Sequence, residues 1–302
     1  MEIQNFNSKD SRNLVDFLNE TNHTTGTNKE ISLTLFLQGL NMPSVTPEQD
    51  YFIARVNREI VGVLQMVNES PISRAVAIQT IPRSSIEKEV LHQLTKVALS
   101  YSKRNSLSVL HIQSPSTDQV AISSLNASGF IKVKTYLELE WAEDVLQNLL
   151  LPENYKVRSF ILGKDDEVLT DLQNTAFSEH WGFCPNSVEE IRNRVQMERS
   201  QPEGILLIEN ESSIAGYNWT LLSENSGDKV GWIAMTGIHP NFRRNRLGRA
   251  VVLAGMHSLI KRGAKSIELE VDSENTPARE LYKSLGFKSK SSNQWFEKHI
   301  NL

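Results

Sequence analysis

Two stretches of the chain repeat one pattern of apolar and polar positions. "YFIARVNREIVGVLQMV" (Tyr51–Val67) and "ILLIENESSIAGYNWTLL" (Ile205–Leu222) each set two apolar runs around a short polar turn, as a half-buried β-hairpin requires. Gly62 and Gly216 occupy corresponding positions, 154 residues apart. Pro82 and Pro240 each close a later apolar run at an offset of 158, and Gly129 and Gly286 follow in "SSLNASGFIKV" and "ELYKSLGFKSK" at an offset of 157. Three landmarks in one order at near-constant spacing predict two copies of one domain. The polar, proline-bearing "NLLLPENYKVR" (Asn148–Arg158) predicts the seam, with domains at 1–150 and 151–302.

The second copy reads as alternating elements. "YKVRSFIL" predicts a strand, "DEVLTDLQNTAFSEHW" and "SVEEIRNRVQMERS" helices, 205–222 the hairpin, and "VGWIAMTGI" a buried strand. A helix follows from about Leu247 to Arg262, ended by Gly263 in the left-handed cap position with Lys261 and Arg262 at the negative end of its dipole. "SIELEV" alternates with period two, and "TPARELYKSLGF" predicts a helix with Thr276 as N-cap, Pro277 at its first position and Gly286 as its stop. The order βααβββαβαβ predicts a mixed α/β sheet.

Charge narrows the function classes. The 302 residues carry a net charge of -4 at a pI near 6.0, which argues against generic binding to nucleic acid or anionic membranes, so any basic site is local. No apolar stretch is long enough for a signal segment or a bilayer span, which predicts a cytoplasmic protein with no membrane partner. The single cysteine, Cys184, excludes an internal disulfide and a Cys-based zinc site; no metal is expected, and a small residue without special chemistry is the simpler reading of Cys184.

The local basic site is "NFRRNRLGR" (Asn241–Arg249), between the buried strand and the helix. Such a junction aims free helix N–H groups and the positive dipole end at one point. Arg243, Arg244, Arg246 and Arg249 add guanidinium donors suited to phosphate oxygens, so the loop reads as a pyrophosphate cradle. A solvated basic helix start is the plainer alternative. A nucleic-acid patch is weaker, since Phe242 is the one aromatic residue among the arginines.

"TGIHPNFRRNRLGRAVVLAGM" followed by "IELEVDSENTPARELYKSLGF" resembles the acetyl-CoA signature of the GCN5-related N-acetyltransferase (GNAT) family. That signature is a strand, Arg/Gln-x-x-Gly-x-Gly/Ala, a helix, a strand, and Asn-x-x-Ala-x-x-Leu-Tyr-x-x-x-Gly-Phe. Asn275, Ala278, Leu281, Tyr282, Gly286 and Phe287 match its second half without a gap. The resemblance spans residues 155–302, and the tandem layout is similar to the double-domain acetyltransferases related to mycothiol synthase. It implies two tandem GNAT-like domains, each a mixed, centrally splayed β-sheet flanked by α-helices. It further implies acetyl-CoA as co-substrate and a primary amine of a small molecule or a peptide N-terminus as acceptor. One position departs: with Arg243 and Gly248 aligned, Arg246 stands where the family has its first glycine, whose freedom lets a backbone N–H approach the pyrophosphate.

Carried over residue by residue, the resemblance makes Tyr282 the acid for the leaving thiolate, against the alternative of a core tyrosine. Thr236, Gly237 and Ile238 are expected to bind cofactor through backbone, and Arg243, Arg244, Asn245, Arg246, Leu247, Gly248 and Arg249 to hold the pyrophosphate. Asn275 would hold the pantetheine arm or cap its helix, or both. Relatives of the mycothiol synthase type carry a glutamate where this chain has Trp232. Ribosomal-protein N-terminal acetyltransferases look similar at "LEV", which makes Glu270 the candidate base, against the alternative that Glu268, Glu270 and Asp272 simply face solvent. Glu179 and His180 are reserve bases.

The first copy lacks the signature. No glycine lies between Gly62 and Gly129, "IPRSSIEKEVL" replaces the arginine loop, and Leu125 and Asp118 stand at the places of Tyr282 and Asn275. Glu87 and Glu89 would repel a pyrophosphate at that helix start. The N-terminal domain is therefore expected to keep the fold without the chemistry, the fused pair serving as a pseudo-dimer within a monomer. Two readings compete with an acetyltransferase: an acyl-CoA-binding or sensing module without turnover, favoured by Trp232 and Arg246, and a purely structural pseudoenzyme.

Overall fold

The alternation in Ser266–Asp272 sets Ile267, Leu269 and Val271 on one side of a strand, each 5% exposed or less, with Glu268, Glu270 and Asp272 on the other. Strands of this kind build both halves of the molecule. The computed structural model describes residues 1–25, 30–143, 145–211, 213–225 and 227–301. Its elements run β1 (Glu2–Asn5), α1 (Ser11–Thr25), α2 (Leu33–Leu40), α3 (Pro47–Asp50), β2 (Tyr51–Val56), β3 (Glu59–Glu69), β4 (Arg74–Thr80), α4 (Glu87–Arg104), β5 (Val109–Pro115), α5 (Gln119–Ala127) and β6 (Ile131–Trp141). They continue β7 (Lys156–Ser159), α6 (Asp166–Phe177), α7 (Val188–Val195), β8 (Ile205–Glu209), β9 (Ile214–Asn225), β10 (Asp228–Ile238), α8 (Leu247–Lys261), β11 (Ser266–Asp272), α9 (Thr276–Ser284) and β12 (Lys288–His299).

From β7 onward this is the expected βααβββαβαβ, and β1 to β6 repeat it, with α3 as one extra turn. The glycine landmarks hold structural posts in both copies. A Cβ on Gly62 would come within 2.6 Å of Val90 and one on Gly216 within 2.4 Å of Ile238, so hairpin and neighbour approach too closely for a side chain. Gly129 (φ 79°) and Gly286 (φ 97°) each end a helix in the left-handed region. The expected hairpin turn at 210–213 includes residue 212, which lies outside the described residues.

Contacts divide the chain into one unit of Met1–Tyr136 with Ser291–Leu302 and a second of Leu137–Lys290, rather than at 150/151. The reason is strand pairing: β12 lies antiparallel to β5 from Asn293↔Pro115 to His299↔Val109, so the last strand completes the sheet of the first unit. The strand ending the first copy, β6, stands next to β11 in the second.

The first unit orders its strands β1-β2-β3-β4-β5-β12. Leu64, Met66, Val90, Leu94, Leu110, Ile112 and Phe296 fill the core under α4, and Phe6, Leu14, Phe36, Tyr51 and Ile53 the one under α1 and α2. The second orders them β6-β11-β10-β9-β8-β7. On one side α8 and α9 bury Val252, Met256, Leu259, Ile267, Leu269 and Phe287; on the other α6 and α7 bury Leu169, Leu172, Ile191, Leu207, Tyr217 and Trp219. Each such apolar side chain contributes roughly 1.5–3 kcal/mol on burial. Among the described residues, no helix is long and apolar enough to cross a membrane.

Candidate functional site

The second unit opens a gap between its two parallel strands. β10 and β11 pair from Val230↔Ser266 to Ile233↔Leu269, where their pairing ends. At that point β10 also shifts register against β9, between Ile233 and Met235, as an extra residue in a strand does. Met235–Ile238 stay paired to β9 on one edge and turn the other edge to the gap. The expected backbone contacts at Thr236, Gly237 and Ile238 fall in this stretch.

β10 delivers the chain to the start of α8. Arg246 is the N-cap of this helix with φ 60° and ψ 10°, so it adopts the left-handed conformation that glycine takes most easily, and Arg244 does the same at φ 68°. A non-glycine residue there is strained by about 1–2 kcal/mol. No side chain caps this helix start, in contrast to α9, where Asn275 Oδ1 accepts from the Ala278 N–H at 3.2 Å. Asn275, not Thr276, is thus the cap of α9, one residue before the expected position. A Cβ on Gly248 would meet nothing of the protein nearer than Leu281, at 3.8 Å. Protein packing does not demand that glycine, and the backbone beside it is open.

A pocket of about 620 Å³ opens here, lined by Arg244, Arg246 and Arg249 on one side and by Asn148, Leu150 and Tyr155 on the other. The segment after β6 is fastened in place by Gln147: its Oε1 accepts from Arg249, its Nε2 donates to Ser284 O at 3.0 Å, and its own carbonyl meets His257 Nε2 at 2.9 Å. Gln147 and Tyr155 carried no motif that would have marked them. The arginines divide in role. Arg243 donates to the carbonyl of Ala176 at 3.0 Å and Arg249 to Ser284 Oγ at 2.8 Å, whereas Arg244 and Arg246 are exposed at the helix start with Asn245 between them.

Tyr282, on α9, is 9% exposed with its ring edge-on to Phe287. Burial pushes its phenol above the usual tyrosine range, and a hydrogen bond from the Thr236 side chain opposes that shift. The phenol therefore sits beside the unpaired stretch of β10, protonated at neutral pH. Thr236 in turn accepts from Asn218 Nδ2 at 2.7 Å. Sequence reasoning missed Asn218, although an asparagine inside "AGYNWT" is a visible oddity in a strand.

The opposite face of the sheet carries the acids of β11. Glu268 is buried at 6% exposure and paired with Lys290, while Glu270 is exposed and Asp272 half-buried. The expectation that all three share a face holds; their environments differ because Lys290 reaches only the first. His180 stacks on Phe177 at 4.7 Å, and Phe177 reaches within 3.3 Å of where a Gly237 Cβ would lie. Burial and the charge of Arg243 push the His180 imidazole down, against Asp272 and Glu179, so it is neutral at pH 7. Trp232 occupies β10 before the gap, half-buried.

The first unit repeats the gap, and ion pairs occupy the start of its next helix. β4 and β5 pair from Arg74↔Val109 to Ala77↔Ile112 and stop there. At the start of α4, Arg83 donates to Glu87 Oε1 at 2.9 Å and to Asp118 Oδ1 at 3.0 Å, while Asp118 caps α5 through the Ala121 N–H.

Residues 167–287 match the model of the Acetyltransferase (GNAT) family. Among curated proteins, the chain is 35% identical over 140 residues to a mycothiol acetyltransferase from Thermobispora bispora, covering 45% of this chain and 48% of that protein. It is 29% identical over 163 residues to one from Thermomonospora curvata, covering 53% and 54%. The matched segments thus span about half the length of these relatives. Two solved structures share the fold end to end. A GCN5-related N-acetyltransferase from Sphaerobacter thermophilus superposes over 100% of this chain and 96% of its own, with TM-score 0.76 at 18% identity. A tandem GNAT protein from the clavulanic acid biosynthesis pathway does so over 100% and 99%, with TM-score 0.75 at 13% identity.

Proposed function

Because residues 167–287 match the model of the GNAT family, we propose that this chain is an acetyl-CoA-dependent N-acetyltransferase whose chemistry lies in the second unit. The observation that carries this reading is the convergence, at one gap, of the unpaired edge of β10, the uncapped start of α8 and the buried phenol of Tyr282. The N–H groups of the first turn of α8, with Arg244 and Arg246, hold the pyrophosphate, and the open backbone at Gly248 admits it. The segment at Leu150–Tyr155 walls the same pocket and covers the nucleotide end. Asn275 fixes the start of α9, which sets the height of Tyr282 against β10.

The reaction joins the amine nitrogen to the acetyl carbon and breaks the carbon–sulfur bond. Backbone N–H groups of Met235–Ile238 donate to the carbonyl oxygen as negative charge develops there. Tyr282 delivers its proton to the departing sulfur, and Glu270 takes the proton lost by the amine. The acids of β11 suit an acceptor that arrives as an ammonium ion. Relatives named mycothiol acetyltransferases make small-molecule amines the first arm to test. Release of free CoA thiol is measured against a panel of small amines and short peptides. Turnover that depends on one amine supports the reading; tight binding of acetyl-CoA with no turnover on any amine overturns it in favour of a sensing module.

A further inference from the structure

Asn218 is an unusual occupant of its place. It lies in the middle of β9 at 0% exposure, directly opposite Thr236 on β10, so both side chains project from the same face of the sheet. A buried amide group left without a hydrogen bond is costly, because it has given up its bonds to water. Its Nδ2 has one partner, Thr236 Oγ1 at 2.7 Å, and its Oδ1 has none. The oxygen instead abuts Gly255 in α8, where a Cβ would lie 2.0 Å from Oδ1 and 2.6 Å from the side-chain Cγ. Gly255 lies inside α8, where glycine is a poorer helix former than alanine. Both costs serve one arrangement: an α-hydrogen of Gly255 faces Oδ1, which fixes the amide with its NH₂ toward Thr236.

We propose that Gly255 and Asn218 are positioning residues that set the direction of a hydrogen-bond relay ending at Tyr282. The amide donates to Thr236 Oγ1, so that hydroxyl spends an acceptor site on Asn218 and turns its single proton to the Tyr282 oxygen. With its oxygen already accepting, the phenol points its own proton into the gap, where a leaving sulfur needs it. The relay also steadies the phenolate formed when that proton departs. This inference rests on Tyr282 acting as the acid, and its test separates the two.

The phenol carbon of Tyr282 is labelled with ¹³C in the full-length protein and assigned by its disappearance in Tyr282→Phe. Its resonance at neutral pH reports what the oxygen accepts. Thr236→Val and Asn218→Leu are expected to move it in the same direction, Gly255→Ala to do so by displacing the amide, and Thr236→Ser to bring it back. On the best amine of the panel, Asn218→Leu is expected to lower kcat about tenfold or more with KM for acetyl-CoA little changed, and Thr236→Val to move the alkaline limb of kcat upward. A Tyr282 resonance identical in wild type, Asn218→Leu and Thr236→Val overturns the relay. If the resonance moves as expected but Tyr282→Phe keeps full turnover, the relay stands and the acid role falls. Should Asn218→Leu fail to fold, Thr236→Val and Gly255→Ala read the same oxygen.

Discussion

Both halves of this chain part a parallel strand pair after four matched residues, yet the helix starts that follow differ in the charge of their side chains. β10 leaves β11 beyond Ile233↔Leu269, and β4 leaves β5 beyond Ala77↔Ile112. The next helix begins without a side-chain cap in both units, and in the second it begins with arginines in left-handed backbone. In the first it begins with Glu87, and Arg83 closes onto Glu87 and Asp118. The gap is a property of the backbone and of the helix packed behind it, so it outlasts the chemistry. The two halves differ in the sign of a few side chains at the helix start, where the proposed diphosphate site of the second unit lies.

The sharpest way to break this comparison is at the acid. Tyr282→Phe is expected to lower kcat by about 10²–10⁴-fold, whereas Leu125→Met at the matching place in the first unit should leave turnover unchanged. An equal loss from both in steady-state assays would put chemistry in both halves. Glu270→Gln is expected to cost about 10²-fold and His180→Asn much less; the reverse order would move the base to the imidazole that burial and Arg243 keep neutral.

Next comes binding. Calorimetric titration with acetyl-CoA is expected to show one site per chain, weakened about tenfold or more by Arg244→Glu with Arg246→Glu and untouched by Arg83→Ala. Two sites would mean that the first unit's ion pairs open for a ligand. Arg246→Gly separates strain from charge. Removing the left-handed arginine should raise the stability of the second unit by about 1 kcal/mol, a rise of roughly 2–4 °C in Tm, while any loss of CoA affinity measures what its guanidinium contributes.

The smallest expected effect belongs to the first unit. His111 is buried beside Glu297, and burial, the larger influence, holds its pKa below 6.5. A folded pKa below the unfolded one means that the unfolded chain binds the proton more readily. Stability is therefore constant above the unfolded value and falls as pH drops through it. Thermal melts at pH 7.5 and 5.5 should differ less in His111→Gln than in wild type.

Much of this was legible in the amino acids. The motif from Asn275 to Phe287 and the arginine loop encode local geometry, so they fix helix start and helix stop within a few residues. The repeat was legible because both copies need glycine where a hairpin meets its neighbour. What escaped depends on partners far away in sequence. Alternation put Glu268 and Glu270 on one face but could not tell which is covered, since that is decided by Lys290, 22 residues beyond Glu268. Asn218 looked like a polar residue in a strand until Gly255 and Thr236 stood on either side of it. The division at 150 failed because a strand's pattern states which face is buried and not which edge it joins.

That last point bears on how the molecule is made. Residues 1–136 leave the ribosome first, but the edge of β5 gains its partner only when residues 293–299 follow. At ordinary rates of synthesis the intervening stretch takes on the order of 10–40 s, during which β5 is an open template for wrong pairing. The half that carries no proposed chemistry is begun first and completed last, and its closure waits on the half that does.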